Sequence, residues 1–317
     1  MKNKLKILFP KTYAYYQHLK RMHRIHKINR IKKMPFEKQL NLIEQTYAER
    51  VGHLLDWNNL RTYTEKMQWA KVYDMDPLKS QLSDKYAVRS WVAEKIGEEH
   101  LIPLLGCWDR FEDIDFSMLP EQFVLKTNNG CGTNLIVKNK ESLHYKEAKR
   151  LFKDWLAMDF AYNNPVEYHY SIIPPKIIAE KYMSTKSGDL PDYKFLCFHG
   201  KPYYCWVDQG RYLKHTCDFF DMEWNHQSWH KYRFSTCETP IPKPENFEEM
   251  VVIATKLCEG FSHVRVDLYN VDGKIYFGEM TFTYASGFSR LVPDSADCML
   301  GDLWKVDTSV RKKETNI

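Results

Sequence analysis

The segment from Ser262 to Phe282 constrains the fold more than any other, because its pattern suits only a β-hairpin. In Ser262-His263-Val264-Arg265-Val266-Asp267-Leu268-Tyr269 the apolar Val264, Val266 and Leu268 alternate with His263, Arg265 and Asp267. A strand built on that alternation puts Arg265 and Asp267 on one face. The returning strand, Ile275 to Met280, brings Glu279. A two-residue Asp272-Gly273 turn would send Glu279 to the opposite face. A three-residue loop, Val271-Asp272-Gly273, with the glycine left-handed, would set Glu279 across from Arg265. We expect the second geometry, which gathers an arginine and two carboxylates on one surface. Such a group suits Mg²⁺ held between carboxylates and phosphate oxygens, while a salt bridge on a surface hairpin is the plain alternative.

A second feature lies upstream. Phe123-Val124-Leu125-Lys126 reads as a strand, Thr127-Asn128-Asn129-Gly130-Cys131-Gly132-Thr133 as a turn-forming loop, and Asn134 to Lys138 as another strand. Dinucleotide and P-loop fingerprints require a helix after the loop, with the phosphate at its N-terminus. Here Leu135 stands at the third glycine position and no Gly-Lys-Ser/Thr run occurs. A loop between two strands instead makes either an ordinary turn or a flap whose backbone N–H groups close over phosphates, with Lys126 as a fixed positive charge.

The rest of the chain supplies a scaffold around these two features. Apolar spacing predicts helices over 36–56, 62–75, 83–97 (capped by Ser83 and closed near Gly97), 141–158 and 246–261. The last has Asn246 at its cap and Glu249 in the capping-box position. Lys176–Met183 reads as a strand, 184–191 as a polar loop, and strands dominate from Tyr193 to Val207. Small alternating units of this kind predict an α+β protein, not one doubly wound sheet. At 317 residues, with 44% hydrophobic and 27% charged residues, the chain is long enough for two or three subdomains. No apolar run is long enough to span a bilayer, and no secretory signal is read at the N-terminus, so a cytoplasmic protein is expected.

Eight cysteines are scattered without a Cys-x-x-Cys pair, which fits reduced thiols. His215, Cys217, His226, His230 and Cys237 contain one His-x₃-His spacing that zinc could use, but the stretch is rich in Trp and Phe and packing is the preferred reading. Residues 1–33 carry eleven Lys and Arg and no acid, and Leu19, Met22, Ile25, Ile28 and Ile31 recur every third position. This basic arm either lies on an anionic membrane surface or is simply solvated. Nucleic acid is not expected, because no zinc-finger or RNA-binding signature follows.

The order Lys126, strand-flanked glycine loop, Glu180-Lys181-Tyr182-Met183, Arg265-x-Asp267 and Glu279-x-Thr281 resembles the ATP-grasp superfamily. Leu82-Ser83-Asp84-Lys85-Tyr86-Ala87-Val88-Arg89, Phe123 to Lys126 and Gly278-Glu279-Met280-Thr281-Phe282 are similar to its TupA-like family, across about residues 60–305. The resemblance implies an α+β ATP-grasp fold, two α+β subdomains clasping ATP, with a short helical N-terminal region. It divides the chain into a basic arm (1–35), a helical region (36–119), a small subdomain with the glycine flap (120–180) and a large subdomain with the metal site (181–317).

By the same resemblance, Lys126 contacts the α- and β-phosphates, Gly130, Cys131, Gly132 and Thr133 form the flap, and Lys85 is a second phosphate or ribose contact. Glu180, Lys181, Tyr182 and Met183 line the adenine slot. Lys194 reaches the phosphates, Asp267, Glu279 and Thr281 hold two Mg²⁺ ions, and Arg265 steadies the developing charge. Lys126 is expected to face the Arg265 ribbon across a gap sized for the triphosphate. Three positions depart from the pattern: Thr281 stands where asparagine is usual, Asn129 in place of histidine, and Cys131 in place of serine. The implied activity is an ATP-dependent carboxylate–amine ligase of bacterial surface polysaccharide biosynthesis. Its partners are a carboxylate-bearing glycan or precursor and an amine donor, and the arm would touch the inner membrane face. A glycan kinase, a glycosyltransferase suggested by Asp74-Met75-Asp76 and Asp113-Ile114-Asp115, and a non-catalytic nucleotide-binding module suggested by Thr281 are the alternatives.

Overall fold

A computed structural model of the chain describes residues 10–185, 190–210 and 215–309. The start of the basic arm, part of the expected 184–191 loop and the C-terminal positions lie outside them. Helices α1 (Pro10–Lys32), α2 (Phe36–Val51), α3 (Tyr63–Tyr73), α4 (Pro77–Ser83) and α5 (Val88–Ile96) come first. Strands β1 (Leu104–Trp108), β2 (Phe123–Thr127) and β3 (Asn134–Val137) follow, then α6 (Tyr145–Leu156) and β4 (Ile177–Lys181). After β5 (Asp192–Phe198), β6 (Lys201–Gln209), β7 (Thr216–Asp221) and the short β8 (His230–Lys231) comes α7 (Phe247–Cys258). The hairpin β9 (His263–Val271) and β10 (Lys274–Thr281), then β11 (Leu291–Val292) and α8 (Ser295–Leu303), complete the order.

These elements form two compact units, one of residues 1–40, 84–86 and 103–182, the other of 41–83, 87–102 and 183–317. Among the described residues the strand ladders are antiparallel, which fits the expected α+β class. The first unit carries the sheet β1-β4-β2-β3 and the second the sheet β10-β9-β5-β6-β7.

In the first unit, α6 lays Ala148, Phe152 and Trp155 against Phe123, Leu125, Ile177 and Ala179 of the sheet. The alternation along β2 leaves Val124 and Lys126 on the other face. Helix α1 belongs to this unit and is tied down by charge: Asp154 accepts from Arg21 Nε (2.7 Å) and lies 2.8 Å from His18 Nδ1, and Lys32 pairs with Asp159 (2.9 Å). Ile28 and Ile31 are buried while Leu19 and Met22 stay exposed. A strict three-residue repeat drifts by about 60° per step around a 3.6-residue helix, so the apolar row of the arm cannot face one partner along its length.

In the second unit, Met250, Ala254 and Leu257 of α7 pack on Phe195, Cys197, Val264, Val266 and Leu268, joined by Val88 and Val92 of α5. Two expected caps are not made. Ser83 ends α4, because Asp84 accepts from Tyr86 N and Lys85 N bonds the Asn128 carbonyl, which interrupts the expected 83–97 helix. Asn246 makes no side-chain cap on α7; its amide instead donates to Gly273 O (2.9 Å) and accepts from Asn270 (2.6 Å), bracing the hairpin turn.

Helix α3 is buried on nearly every side, and Tyr63 at its start meets His263 of β9. The Cys197 carbonyl can only accept, so His263 Nδ1 donates to it (2.9 Å) and Nε2 accepts from the Tyr63 hydroxyl (3.0 Å). Burial pushes the pKa of the ring down to about 3, so it is neutral, which is why Nε2 accepts here. Below the unfolded value near 6.5 the unfolded chain takes up a proton that the folded chain refuses, so stability falls as pH drops through that window. From pH 6 to pH 4 we expect this group to remove about 1.4 kcal/mol per pH unit. Urea titrations of the wild type and His263→Gln should show their stability difference shrinking by that increment as the pH is lowered; parallel curves would mean that His263 is not buried neutral.

Candidate active site

The face of the five-stranded sheet opposite α7 is polar, and the hairpin shows how it is assembled. Asp272 (φ 51°) and Gly273 (φ 90°) form a two-residue turn, with Lys274 paired to Val271. This corrects the expected three-residue loop: Asn270 accepts from Gly273 N (3.0 Å) and closes the tighter turn that Asp-Gly favours. The turn alone would put Glu279 on the α7 side. A bulge between Phe277 and Glu279 shifts the register by one residue, so that Glu279 lies opposite Asp267 and Thr281 opposite Arg265. Glycine eases the packing at its centre, since a Cβ on Gly278 would lie 3.1 Å from the Asp267 carbonyl oxygen and 3.3 Å from its Cβ, a tight fit.

Arg265 binds everything around it. Its Nε donates to Asp267 Oδ1 (2.6 Å), and Nη2 reaches Asp267 Oδ2 (2.7 Å), Glu279 Oε1 (2.5 Å) and Thr281 Oγ1 (3.0 Å). Lys194, paired with Asp267 across β5 and β9, donates to Asp192 (2.6 Å) and to Asp267. Burial alone would lower the pKa values of Lys194 and Arg265, but the carboxylates hold both above their ordinary ranges. Burial pushes Asp267 up to about 6, against the pull of Arg265 and Lys194.

Three carboxylates and two cations thus leave one negative charge in excess. The donors are all oxygen, a set suited to a hard divalent ion rather than zinc. Among the described residues no three His, Cys, Asp or Glu side chains form a preassembled metal cage. Magnesium needs only one or two carboxylates besides phosphate oxygens and water, so Asp267, Glu279 and the Thr281 hydroxyl fit it in chemistry.

The same face carries residues the sequence reasoning missed. Asp192 shares the parity of Lys194 on β5, a signal that was readable. Trp206, paired with Lys194, and Tyr284 each lie 5.1 Å from the Arg265 guanidinium. The buried Lys231 ammonium stacks on both rings, 3.8 Å from Trp206 and 4.7 Å from Tyr284. Burial opposes its charge, but Tyr284, Cys217 and Asp208 hold its pKa above the usual lysine value. Burial pushes the Cys217 thiol up to about 12, which makes it a poor nucleophile.

In the first unit, Lys126 Nζ pairs with Glu180 Oε2 (2.6 Å) on the sheet face away from α6. Lys85 is bound to the glycine loop, its N donating to Asn128 O (3.1 Å) and its Nζ to Gly130 O (2.5 Å). The Thr127 and Thr133 hydroxyls bond at the loop base (2.7 Å), and Asn128 is pinned by Pro174 O and Lys176 N. Gly130 packs on Phe160, whose ring a Cβ would strike at 2.3 Å. Cys131 and Gly132 form the exposed tip. Lys181 is exposed at the end of β4, and Tyr182 lies beneath Lys138 at 5.6 Å. Lys85, Lys126, Gly130 to Thr133 and Glu180 to Tyr182 therefore belong to the first unit, and Met183, Lys194, Arg265, Asp267, Glu279 and Thr281 to the second.

The remaining candidates have local partners. His215 lies 3.2 Å from Asp208 and His226 3.0 Å from Asp218, so these histidines are spread over separate carboxylates. Asp74 pairs with Lys79, Asp113 with Arg110, and Asp115 accepts from Ser117 N (2.9 Å). Both Asp-x-Asp pairs are thereby engaged in local turns and caps.

Replacing Arg265 by Met would leave the buried Asp267 with Lys194 alone. Breaking such a pair costs about 3–5 kcal/mol, and urea denaturation should show a loss of that size; a loss below about 1 kcal/mol would place the pair in solvent.

Comparisons with known proteins add the following. The D-alanine–D-alanine ligase of Bacillus anthracis is 21% identical over 70% of this chain and 66% of its own, with a TM-score of 0.40. The D-alanine–D-alanine ligase of Helicobacter pylori is 10% identical over 71% and 61%, with a TM-score of 0.36. D-cycloserine synthetase DcsG is 15% identical over 72% and 70%, with a TM-score of 0.40. The chain spans just under two thirds of the length of the first of these. No curated protein matches it. Its sequence matches the family described as TupA-like ATPgrasp over residues 65–305, more than half of its length. With the α+β architecture and the charged sheet face in place, that match makes the chain a member of the TupA-like ATP-grasp family, whose fold is that of ATP-dependent ligases.

Proposed function

We propose that this protein is an ADP-forming carboxylate–amine ligase. Its carboxylate substrate would be a uronic acid of a bacterial surface polysaccharide or its precursor, joined to an amino acid or another amine. The observation that carries this reading is the cluster of buried Arg265, Lys194, Asp192 and Asp267 with the half-buried Glu279 at its edge. It concentrates cations and oxygen ligands for a phosphoryl group and contains no activated nucleophile, which suits chemistry that needs positioning and charge neutralisation.

A substrate carboxylate oxygen attacks the γ-phosphorus of ATP, the bond to the β–γ bridging oxygen breaks, and ADP leaves. The amine nitrogen then attacks the acyl carbon of the acylphosphate; the C–O bond breaks with its electron pair on phosphate, which takes the amine proton. Arg265 and Lys194 exchange their carboxylate partners for phosphate oxygens and neutralise the charge developing there. Lys126 and Lys85 bind the phosphates, the backbone of Gly130 to Thr133 covers them, and Glu180 to Met183 line the base. Asp267, Glu279 and Thr281 would hold magnesium, which when bound supplies Lewis-acid stabilisation of the phosphate oxygens.

We further place the protein in the cytoplasm, with its basic N-terminal segment against the anionic inner membrane face. No helix among the described residues is long and apolar enough to cross a membrane. Because Ile28 and Ile31 are buried, such contact would run through the exposed side of α1, where Leu19, Met22, Lys20 and Lys27 lie. Reversing Lys20, Lys27 and Arg30 to Glu should release the protein from vesicles containing anionic lipid while leaving its circular dichroism unchanged; equal vesicle binding would rule the contact out.

The function itself is tested by screening ADP release over paired uronic acids and amines, with mass detection of the amide. We expect ADP only when both substrates are present, and a drop of about 100-fold or more in Lys126→Ala and in Asp267→Asn. Phosphate transfer to a hydroxyl acceptor would make the protein a kinase, and ATP-independent turnover of a sugar nucleotide would make it a glycosyltransferase. Full activity in either variant would remove that residue from its role.

A further inference from the structure

The first unit contains a cavity of about 420 Å³ bounded by α1, β3 and the start of α6. It shares no lining residue with the Lys85, Lys126 and Glu180 group. Its volume lies within the range of small-molecule sites, about 300–1,000 Å³. Leu135, Val137, Leu143, Leu151, Ala14 and Ala148 give it an apolar lining. The polar lining is one-sided in charge: Arg21, Lys138 and Arg150 against the single carboxylate of Glu147.

The cations differ in what they already do. Arg21 is engaged by Asp154 at 2.7 Å, and Lys138 stacks on Tyr182. Arg150 stands apart, because its Nε is buried and has no hydrogen-bond partner. A buried donor left unmatched is costly, and the Arg150 guanidinium on the cavity wall offers an entering anion a charge-assisted bond. An apolar lining beside a guanidinium whose Nε is unmatched selects a ligand that is apolar along most of its length and anionic at one end.

We propose that this cavity binds a single-chain anionic amphiphile, with a phosphate or carboxylate head at Arg150 and its aliphatic chain between α1 and β3. A purely apolar guest would leave Arg150 as it is, and a free phosphate would leave the apolar lining uncovered. Both parts of the ligand are therefore needed.

Calorimetric titration of the full chain with dodecyl phosphate, laurate, dodecanol and inorganic phosphate, below micelle-forming concentrations, tests this. We expect saturable binding of at least one of the two anionic amphiphiles, with dodecanol and inorganic phosphate at least about tenfold weaker. The tighter of the two anions identifies the head as phosphate or carboxylate. Arg150→Gln removes the guanidinium and its charge while keeping a polar side chain, and it should weaken the anion about tenfold or more while leaving dodecanol unchanged. Ala14→Trp should fill the cavity and abolish binding, with circular dichroism reporting that the fold survives. Absence of saturable binding up to about 1 mM, equal affinity for dodecanol and the anions, or an unchanged affinity in Arg150→Gln would each overturn the proposal.

Discussion

The bond that the second unit is built around joins Arg265 to Asp267 and Glu279. Strand β5 is buried along its whole length and β9 over its first six residues, so both faces of the sheet centre are shielded from water. One face meets that condition with hydrocarbon packed under α7. The other meets it with charges that bind each other, because an isolated buried ion would cost several kcal/mol. Each member of the network is therefore conditional on the rest. Lys194 is held charged by Asp192 and Asp267 against burial, and Asp267 is held by two cations against the same penalty.

That conditionality also fixes the hairpin register. Without the bulge, Glu279 would point into the apolar side under α7 and Met280 into the charged side. Both errors are expensive, so the bulge at Gly278 is part of the charge network and not a local irregularity. It was legible in the sequence: Ile275 and Phe277 are apolar on odd positions, then Met280 and Phe282 on even ones, and the parity changes across the glycine. Reading a longer turn in place of a bulge gave the right face by the wrong route. The alternation of β9 was sufficient to pair Arg265 with Asp267, because period two has no second interpretation there.

What could not be read follows a physical pattern. Lys231 and Tyr284 reach Arg265's surroundings from short or irregular segments, where no period links sequence to direction. Ser83 and Asn246 looked like caps because their residue types favour that role. A cap competes with every other partner in reach, and the hairpin turn claims Asn246 while the loop at Asn128 draws the chain after Ser83 out of helix. The α1 segment reads as a free basic arm by composition, yet two of its isoleucines and the Arg21–Asp154 bond fix it to the first unit. Charge count reports what a segment carries, whereas the buried partner that holds it lies more than a hundred residues away.

Thr281, which departs from the family pattern, is accommodated by the same network. Its hydroxyl accepts from Arg265 and donates to Glu279, both at 3.0 Å. A hydroxyl can do both at once with a single atom, and a β-branched residue suits the strand position opposite Arg265. An asparagine would offer a carbonyl and an amide on separate atoms and a longer reach. Threonine thus strengthens the pairing among protein groups and offers a cation one neutral oxygen that is already shared. The balance at this position favours a well-ordered charge network among the protein's own groups.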